Sequence, residues 1–140
     1  MKNFKNKVAV ITGAGSGMGR YLAILLAKDG ADVCICDVNE ETLSETLAML
    51  RKFNVSVSSH ISDVSDKKAI ESLPQKVIDQ HGKVDLVFNN AGVTAGSHFQ
   101  DMKEENWDWV MGINFNGVIN STRAFIPHLV NNAEAAIVNT

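Results

Sequence analysis

The sequence predicts an α/β fold built on a parallel sheet, and three observations carry that reading. Short apolar runs of strand character alternate with amphipathic helical segments from one end of the chain to the other. A glycine cluster lies between the first strand and the first helix. Small or polar residues of functional type recur at the carboxyl ends of the strand segments, the edge at which open α/β sheets bind their ligands.

Lys7 to Thr12 reads as a short buried strand. Met18, Leu22, Leu25 and Leu26 give the following helix one apolar face, and Gly30 ends it. Asp32 to Asp37 is the second strand, Leu43, Leu47 and Leu50 line the second helix, and Val55, Val57, Ser59 and Ile61 alternate as a third strand. A third helix carries Ile70, Leu73 and Val77, and the compact run Val84 to Phe88 forms a fourth strand leading into Asn89-Asn90-Ala91-Gly92. After a polar loop, Glu104 to Asn131 supports one long helix with Val110, Ile113, Gly117, Val118, Ser121 and Phe125 on one side. Its start is favoured by Glu104 and Glu105 at the positive end of the helix dipole. Pro127 is expected to bend or break the final turns, and Ala135 to Thr140 closes the chain as a fifth strand. No linker or repeat interrupts the pattern, so residues 1–140 read as a single domain. Gly13, Asp37, Asp63, Asn90 and Asn139 all fall at or just past strand ends, which should bring five loops to one edge.

The bulk numbers narrow the function classes. With 45% hydrophobic and 21% charged residues the 140-residue chain has the material for a real core. A formal net charge of -3 leaves no basic excess to displace counterions from a phosphate backbone, which argues against nucleic acid as a partner. No apolar run approaches the roughly 18 residues that would suggest a membrane span, and Val8 to Ile11 is too short for a signal-peptide core, so a cytoplasmic location is expected. Cys34 and Cys36 share one strand face and find no further ligand, which reads as two reduced core thiols. His60, His81, His98 and His128 have no partner at ligand spacing and read as surface or capping residues; no metal is expected. Trp107 and Trp109 read as helix packing.

The chemistry is concentrated in the loops. In Thr12-Gly13-Ala14-Gly15-Ser16-Gly17-Met18-Gly19 the missing side chains let backbone N–H groups approach a pyrophosphate at a helix N-terminus. The spacing is Gly-x-x-x-Gly-x-Gly, looser than the general dinucleotide pattern, and no Lys-Ser or Lys-Thr follows as in a nucleotide-hydrolysing loop. Asp37 ends the second strand about twenty residues on, where a carboxylate accepts hydrogen bonds from adenosine ribose hydroxyls and repels a 2′-phosphate. Ser16 and Val38 are uncharged and do not offset that repulsion, so NAD is expected over NADP. Arg20 stands within reach of a phosphate by position but reads as a solvated side chain.

Together these residues resemble the short-chain dehydrogenase/reductase family, from the first strand to the last residue. The resemblance is carried by Thr12-Gly13-x-x-x-Gly17-x-Gly19, Asp37, Asp63-Val64, Asn89-Asn90-Ala91-Gly92 and Asn114. It implies a Rossmann-type doubly wound parallel sheet, with five strands present and the family's later strands and helices missing. It further implies that Gly13, Ser16, Gly17, Met18 and Gly19 cradle the phosphates of NAD(H). Asp63 and Val64 would contact the adenine, and Asn90, Ala91 and Gly92 would line the cofactor and brace the sheet. Ile113 would approach the nicotinamide, and Asn114 would help hold a water linking the catalytic lysine to solvent. Asp63 is not needed as a helix cap, because Ser65 or Asp66 can serve.

The family reaction moves a hydride between nicotinamide and an alcohol or carbonyl carbon, with a tyrosine exchanging the proton, a lysine lowering its pKa and a serine polarising the substrate oxygen. Ile137-Val138-Asn139-Thr140 looks like the lead-in to that serine, and Tyr21, in the first helix, has no lysine four residues on. The 140-residue chain by itself is therefore expected to be inactive, and its uncovered sheet edge and apolar faces to favour self-association. The resemblance also implies a homo-oligomer and a small alcohol or carbonyl substrate. Two other readings remain: a non-catalytic NAD-binding module, and a methyltransferase-like fold holding S-adenosylmethionine, against which Asn89-Asn90-Ala91-Gly92 and Asn114 speak.

Overall fold

The computed structural model describes residues 3–140. Along the chain run β1 (Val8–Thr12), α1 (Gly17–Lys28), β2 (Asp32–Asp37), α2 (Glu40–Leu50), β3 (Val57–Ile61), α3 (Lys67–Glu71), α4 (Leu73–His81), β4 (Leu86–Asn89), α5 (Glu104–Met111), α6 (Gly117–Leu129) and β5 (Ala136–Asn139). A 3-10 turn at Phe99–Asp101 precedes α5, and a π-helical turn at Gly112–Asn116 joins α5 to α6. The five strands are all parallel in the order β3-β2-β1-β4-β5, the doubly wound arrangement expected from the sequence.

Strand alternation explains how the sheet acquires two cores. Val8, Val10, Cys34 and Cys36 point to the side closed by Ile70 of α3, Leu73 and Val77 of α4, and Phe125 and Leu129 of α6. Their neighbours Ala9, Ile11, Val33 and Ile35 point to the opposite side, against Ala23, Leu26 and Ala27 of α1 and Leu43 and Leu50 of α2. β1 is buried at all five positions, as a central strand covered on both faces must be, and this is why it reads as continuously apolar. Asp85 also sits in this interior, where its carboxylate accepts the Val8 N–H at 2.9 Å and pairs with Lys83 at 2.9 Å.

Helix ends follow local chemistry. The Asn39 side chain accepts from Thr42 N and caps α2, Asp66 caps α3 through Lys68 N and Ala69 N, and Gly82 ends α4 at φ +79. The segment expected as one third helix is two. Pro74 lies in the first turn of α4, where its missing N–H costs nothing, but the same proline cannot continue the hydrogen-bond ladder of α3. The long helix expected from Glu104 also differs. Pro127 lies inside α6, which continues to Leu129, because only one bond is forfeited two residues before the helix ends anyway. The interruption comes earlier, at the wide turn Gly112–Asn116, which no proline marks.

Cys34 and Cys36 are both buried and unbonded covalently. A hydrogen bond from Cys36, helped by His60 and Ser58 and opposed by burial, holds the Cys34 thiol down at about 5, while the same bond and burial push Cys36 well above its ordinary value. His81 Nε2 lies 2.7 Å from Ser58 Oγ, and His60 and His81 are partly buried, unlike the exposed His98 and His128. Trp107 and Trp109 are 45% and 48% exposed rather than packed, and Trp107 meets Phe99 edge to face.

Among the described residues, β5 pairs only with β4 and is largely exposed. Met18, Tyr21 and Leu25 of α1 are each more than half exposed and line a hollow with Thr140, just past it. No helix among the described residues is long and apolar enough to cross a membrane.

Phe125 is fully buried at the centre of one core. Its truncation in Phe125→Ala should cost about 3–5 kcal/mol in urea denaturation, whereas a change under about 1 kcal/mol would mean that the α6 face is not seated on the sheet. Both thiols should resist a thiol-specific reagent in the native protein and react only on unfolding, since burial withholds even a low-pKa sulfur from an electrophile.

Candidate functional site

The strand order reverses between β1 and β4, and there the two backbones nearly touch. A Cβ on Gly13, whose φ is +65, would stand 2.7 Å from the Ala91 Cα, so no other residue fits. The seam is tied by Thr12, whose Oγ1 accepts from Asn90 N and Ala91 N at 3.0 Å each and lies 3.4 Å from Phe88 O, to which it donates. Asn90 returns the tie by donating Nδ2 to Thr12 O at 3.1 Å and Gly13 O at 3.3 Å. A Cβ at the buried Gly19 would collide with Gly13 O and come within 2.6 Å of Asn90 Nδ2, which is why α1 can approach the loop so closely.

The start of α1 faces outward. Ser16 is exposed and makes no side-chain cap, the first turn holds no acidic residue, and Gly17, at φ +50, has open space where a Cβ would be. The positive end of the helix dipole therefore has no anionic side chain of its own turn against it. Met18 is 70% exposed at the same rim.

At the end of β2 the Asp37 carboxylate is gripped from two sides. Its Oδ2 accepts from Gly15 N at 2.8 Å and its Oδ1 from Asn39 N at 3.0 Å, so each oxygen keeps a further lone pair. Beyond β3, Asp63 Oδ1 accepts from Ser65 N at 2.8 Å and Ser65 Oγ at 2.7 Å, and Asp66 is the residue that caps α3. Val64 is buried against Gly117, where a Cβ would lie 2.6 Å from Val64 Cγ2, and Asn120 Nδ2 donates to Val64 O at 3.0 Å. In the π-helical turn, Asn114 clasps the backbone of Val93: its Oδ1 accepts from Val93 N at 2.8 Å and its Nδ2 donates to Val93 O at 2.9 Å.

One cleft joins these loops, lined by Gly13, Asp37, Val38, Ser62, Asp63, Val64, Ala91, Gly92, Val93 and Ile113. Seven of the residues expected from the sequence meet in it: Gly13, Asp37, Asp63, Val64, Ala91, Gly92 and Ile113. Ser16, Gly17, Met18 and Gly19 belong to the adjoining loop and helix start, while Asn90 and Asn114 spend their amides bracing its walls. Asn139 lies at the same strand-end edge, in register with Asn89, but does not line the cleft; it accepts from Asn89 Nδ2 at 2.8 Å, on the β5 side of β4. Ser62 and Val93 line the cleft and were not anticipated, although each directly adjoins an expected residue. The reading of Arg20 as a solvated side chain is corrected: its guanidinium is bonded to Gly15 O, Thr42 O, Thr46 Oγ1 and Glu45. Among the described residues no three His, Cys, Asp or Glu side chains gather as metal ligands would.

The family model described as short chain dehydrogenase matches residues 7–140. The 3-oxoacyl-(acyl-carrier-protein) reductase FabG of Thermotoga maritima is 34% identical over 135 residues, 96% of this chain and 55% of the relative. Among solved structures, a short chain dehydrogenase/reductase of Burkholderia phymatum in complex with NAD superposes with a TM-score of 0.94 at 41% identity, over 99% of this chain and 50% of that one. NAD+-bound xylitol dehydrogenase gives 0.93 at 32% identity over 99% and 54%. The chain thus spans about half the length of each of these three proteins.

The Thr12 hydroxyl accepts from Ala91 N and shares Asn90 N with Phe88 O, which lies 3.0 Å from it. Thr12→Val should cost about 2–3 kcal/mol in chemical denaturation, and Thr12→Ser, which keeps the hydroxyl, should recover most of it. A loss in Thr12→Ser with Thr12→Val left near wild type would mean that the methyl group, not the hydrogen bonds, holds the seam.

Proposed function

The chain belongs to the short-chain dehydrogenase family, and from that footing we propose that its cleft binds NAD(H) and that the whole protein transfers hydride between the nicotinamide and an alcohol or carbonyl substrate. The observation that carries the reading is the Asp37 carboxylate, fixed by Gly15 N and Asn39 N and lining the same cleft as the glycine turn at the β1–β4 switch point. The cradle suits the group: Gly13 admits no Cβ, Gly17 leaves open space, and the first turn of α1 offers N–H groups unopposed by acid.

In this reading Gly13, Ser16, Gly17, Met18 and Gly19 surround the pyrophosphate, and Asp37 accepts from the adenosine ribose hydroxyls with the lone pairs that the backbone leaves free. Asp63 and Val64 take the adenine edge, Ala91 and Gly92 lie along the dinucleotide with Asn90 behind them, and Ile113 faces the nicotinamide end. When bound, the dinucleotide supplies the hydride donor or acceptor. Asn114 has one Nδ2 hydrogen and Oδ1 lone-pair capacity left after clasping Val93, enough to hold a water of the proton path. The exposed Trp107, Trp109, Phe115 and Ile126 along α5 and α6 are the surface we assign to a second subunit.

NAD is preferred to NADP because a carboxylate held at this place repels a 2′-phosphate, and the neighbouring Val38 brings no compensating charge. Asp37→Ala should weaken NADH and spare NADPH, reducing the affinity ratio about tenfold in calorimetric titrations. An unchanged ratio would remove Asp37 from the discriminating role.

A further inference from the structure

We propose that Arg20 is a positioning residue for the adenosine end of the cleft: it rivets the glycine loop to α2 so that the loop can hold Asp37 in place, and it thereby sets the preference for NADH over NADPH. The proposal rests on the NAD(H) reading above. Its starting point is Gly15, a buried residue whose two backbone polar groups go in different directions. The N–H is given to Asp37 Oδ2 at 2.8 Å, and the carbonyl is taken by Arg20, from Nε at 3.1 Å and Nη2 at 2.5 Å.

The same guanidinium reaches across to α2. Nε donates to Thr46 Oγ1 at 2.9 Å, and Nη2 to Thr42 O at 3.2 Å and Glu45 Oε2 at 2.8 Å. Thr46 is fully buried and its hydroxyl lies 3.3 Å from Gly15 O, so loop and helix are in buried contact here. A planar fork with several donors in fixed geometry can serve all these acceptors together, which a single ammonium cannot.

The fit is close on the other side as well. A Cβ at Gly15 would fall 2.6 Å from Thr42 Oγ1 and 2.9 Å from the Asp37 carboxylate, so loop, helix and carboxylate form one packed unit. α2 contributes to that unit twice, through the side chains and carbonyl that hold Arg20 and through the Asn39 N–H that holds Asp37 Oδ1. Arg20 touches neither the carboxylate nor the cleft lining; it acts through Gly15.

Two consequences follow for the ligand. A carboxylate locked by Gly15 and Asn39 presents its remaining lone pairs without reorganisation to a ribose diol. It also cannot turn aside from a 2′-phosphate, and Arg20 is committed to Glu45 and two backbone carbonyls rather than offered to that phosphate. Freeing the loop should therefore penalise NADH more than NADPH.

The test compares wild type, R20Q, D37A and R20Q/D37A in the full chain, with Thr46→Val as a milder second variant should R20Q fold poorly. Amide hydrogen exchange of the cofactor-free protein should show Gly15 N–H exchanging about tenfold faster in R20Q, with the β1 amides unchanged. In calorimetric titrations R20Q should weaken NADH about tenfold, leave NADPH nearly unaffected, and have no further effect on NADH once Asp37 is gone. Equal weakening of both cofactors, additivity with D37A, or unchanged Gly15 exchange would overturn the proposal and leave Arg20 a merely structural residue. If wild type binds NADH tightly and R20Q keeps its ratio, only the Arg20 proposal falls. If wild type binds neither cofactor, the NAD(H) reading falls and takes the proposal with it.

Discussion

The cleft depends on how closely β1 and β4 approach at their carboxyl ends. Two parallel strands belonging to opposite halves of a doubly wound sheet leave a gap where their loops part. Here the gap is narrowed until Gly13 has room for hydrogen only, and Thr12 and Asn90 exchange side-chain bonds across it. Without Thr12 the partly buried Ala91 N–H would lose its acceptor and Asn90 N would keep only Phe88 O, a cost comparable to a lost hydrogen bond. Satisfying them with side chains from β1 makes the shape of the cleft floor a property of the sheet and not of mobile loops.

The polar groups around the cleft are arranged by the same logic. Asp37 and Asp63 each receive backbone N–H groups, and Asn90 and Asn114 are held by backbone atoms of neighbouring loops. Each such bond fixes a side chain before any ligand arrives, which reduces the ordering entropy that binding must overcome. The arrangement also joins pieces of chain remote in sequence, since the glycine loop, the end of β2, the turn after β3 and the π-helical turn all line or brace one cavity.

That π-helical turn connects packing with the site. Gly117 opens α6 against Val64 with no room for a side chain, and Ser121, Phe125 and Leu129 carry the same buried face onward at helical spacing. Upstream, Asn114 is drawn to the Val93 backbone on the cleft side. A wide turn lets one helical path serve both demands, seating α6 on the sheet while Ile113 still lines the cleft.

By itself the sequence determined the alternation of strand and helix, the parallel doubly wound sheet and the identity of most residues lining the cleft. Those features are written in local signals: apolar period, a glycine run between strand and helix, and a carboxylate or amide at each strand end. Tertiary structure decided what no local pattern encodes. Asn139 sits at a strand end like the others, but pairing places it beside Asn89, away from the cleft. The break before α6 comes from two helix segments meeting different neighbours, so the visible proline at 127 pointed to the wrong turn. Arg20 is the clearest case, because a cation in the first turn of a helix has the same sequence signature whether it faces water, phosphate or protein. Only the packing of α2 beside the glycine loop brings Thr42, Glu45 and Thr46 within its reach and closes the question.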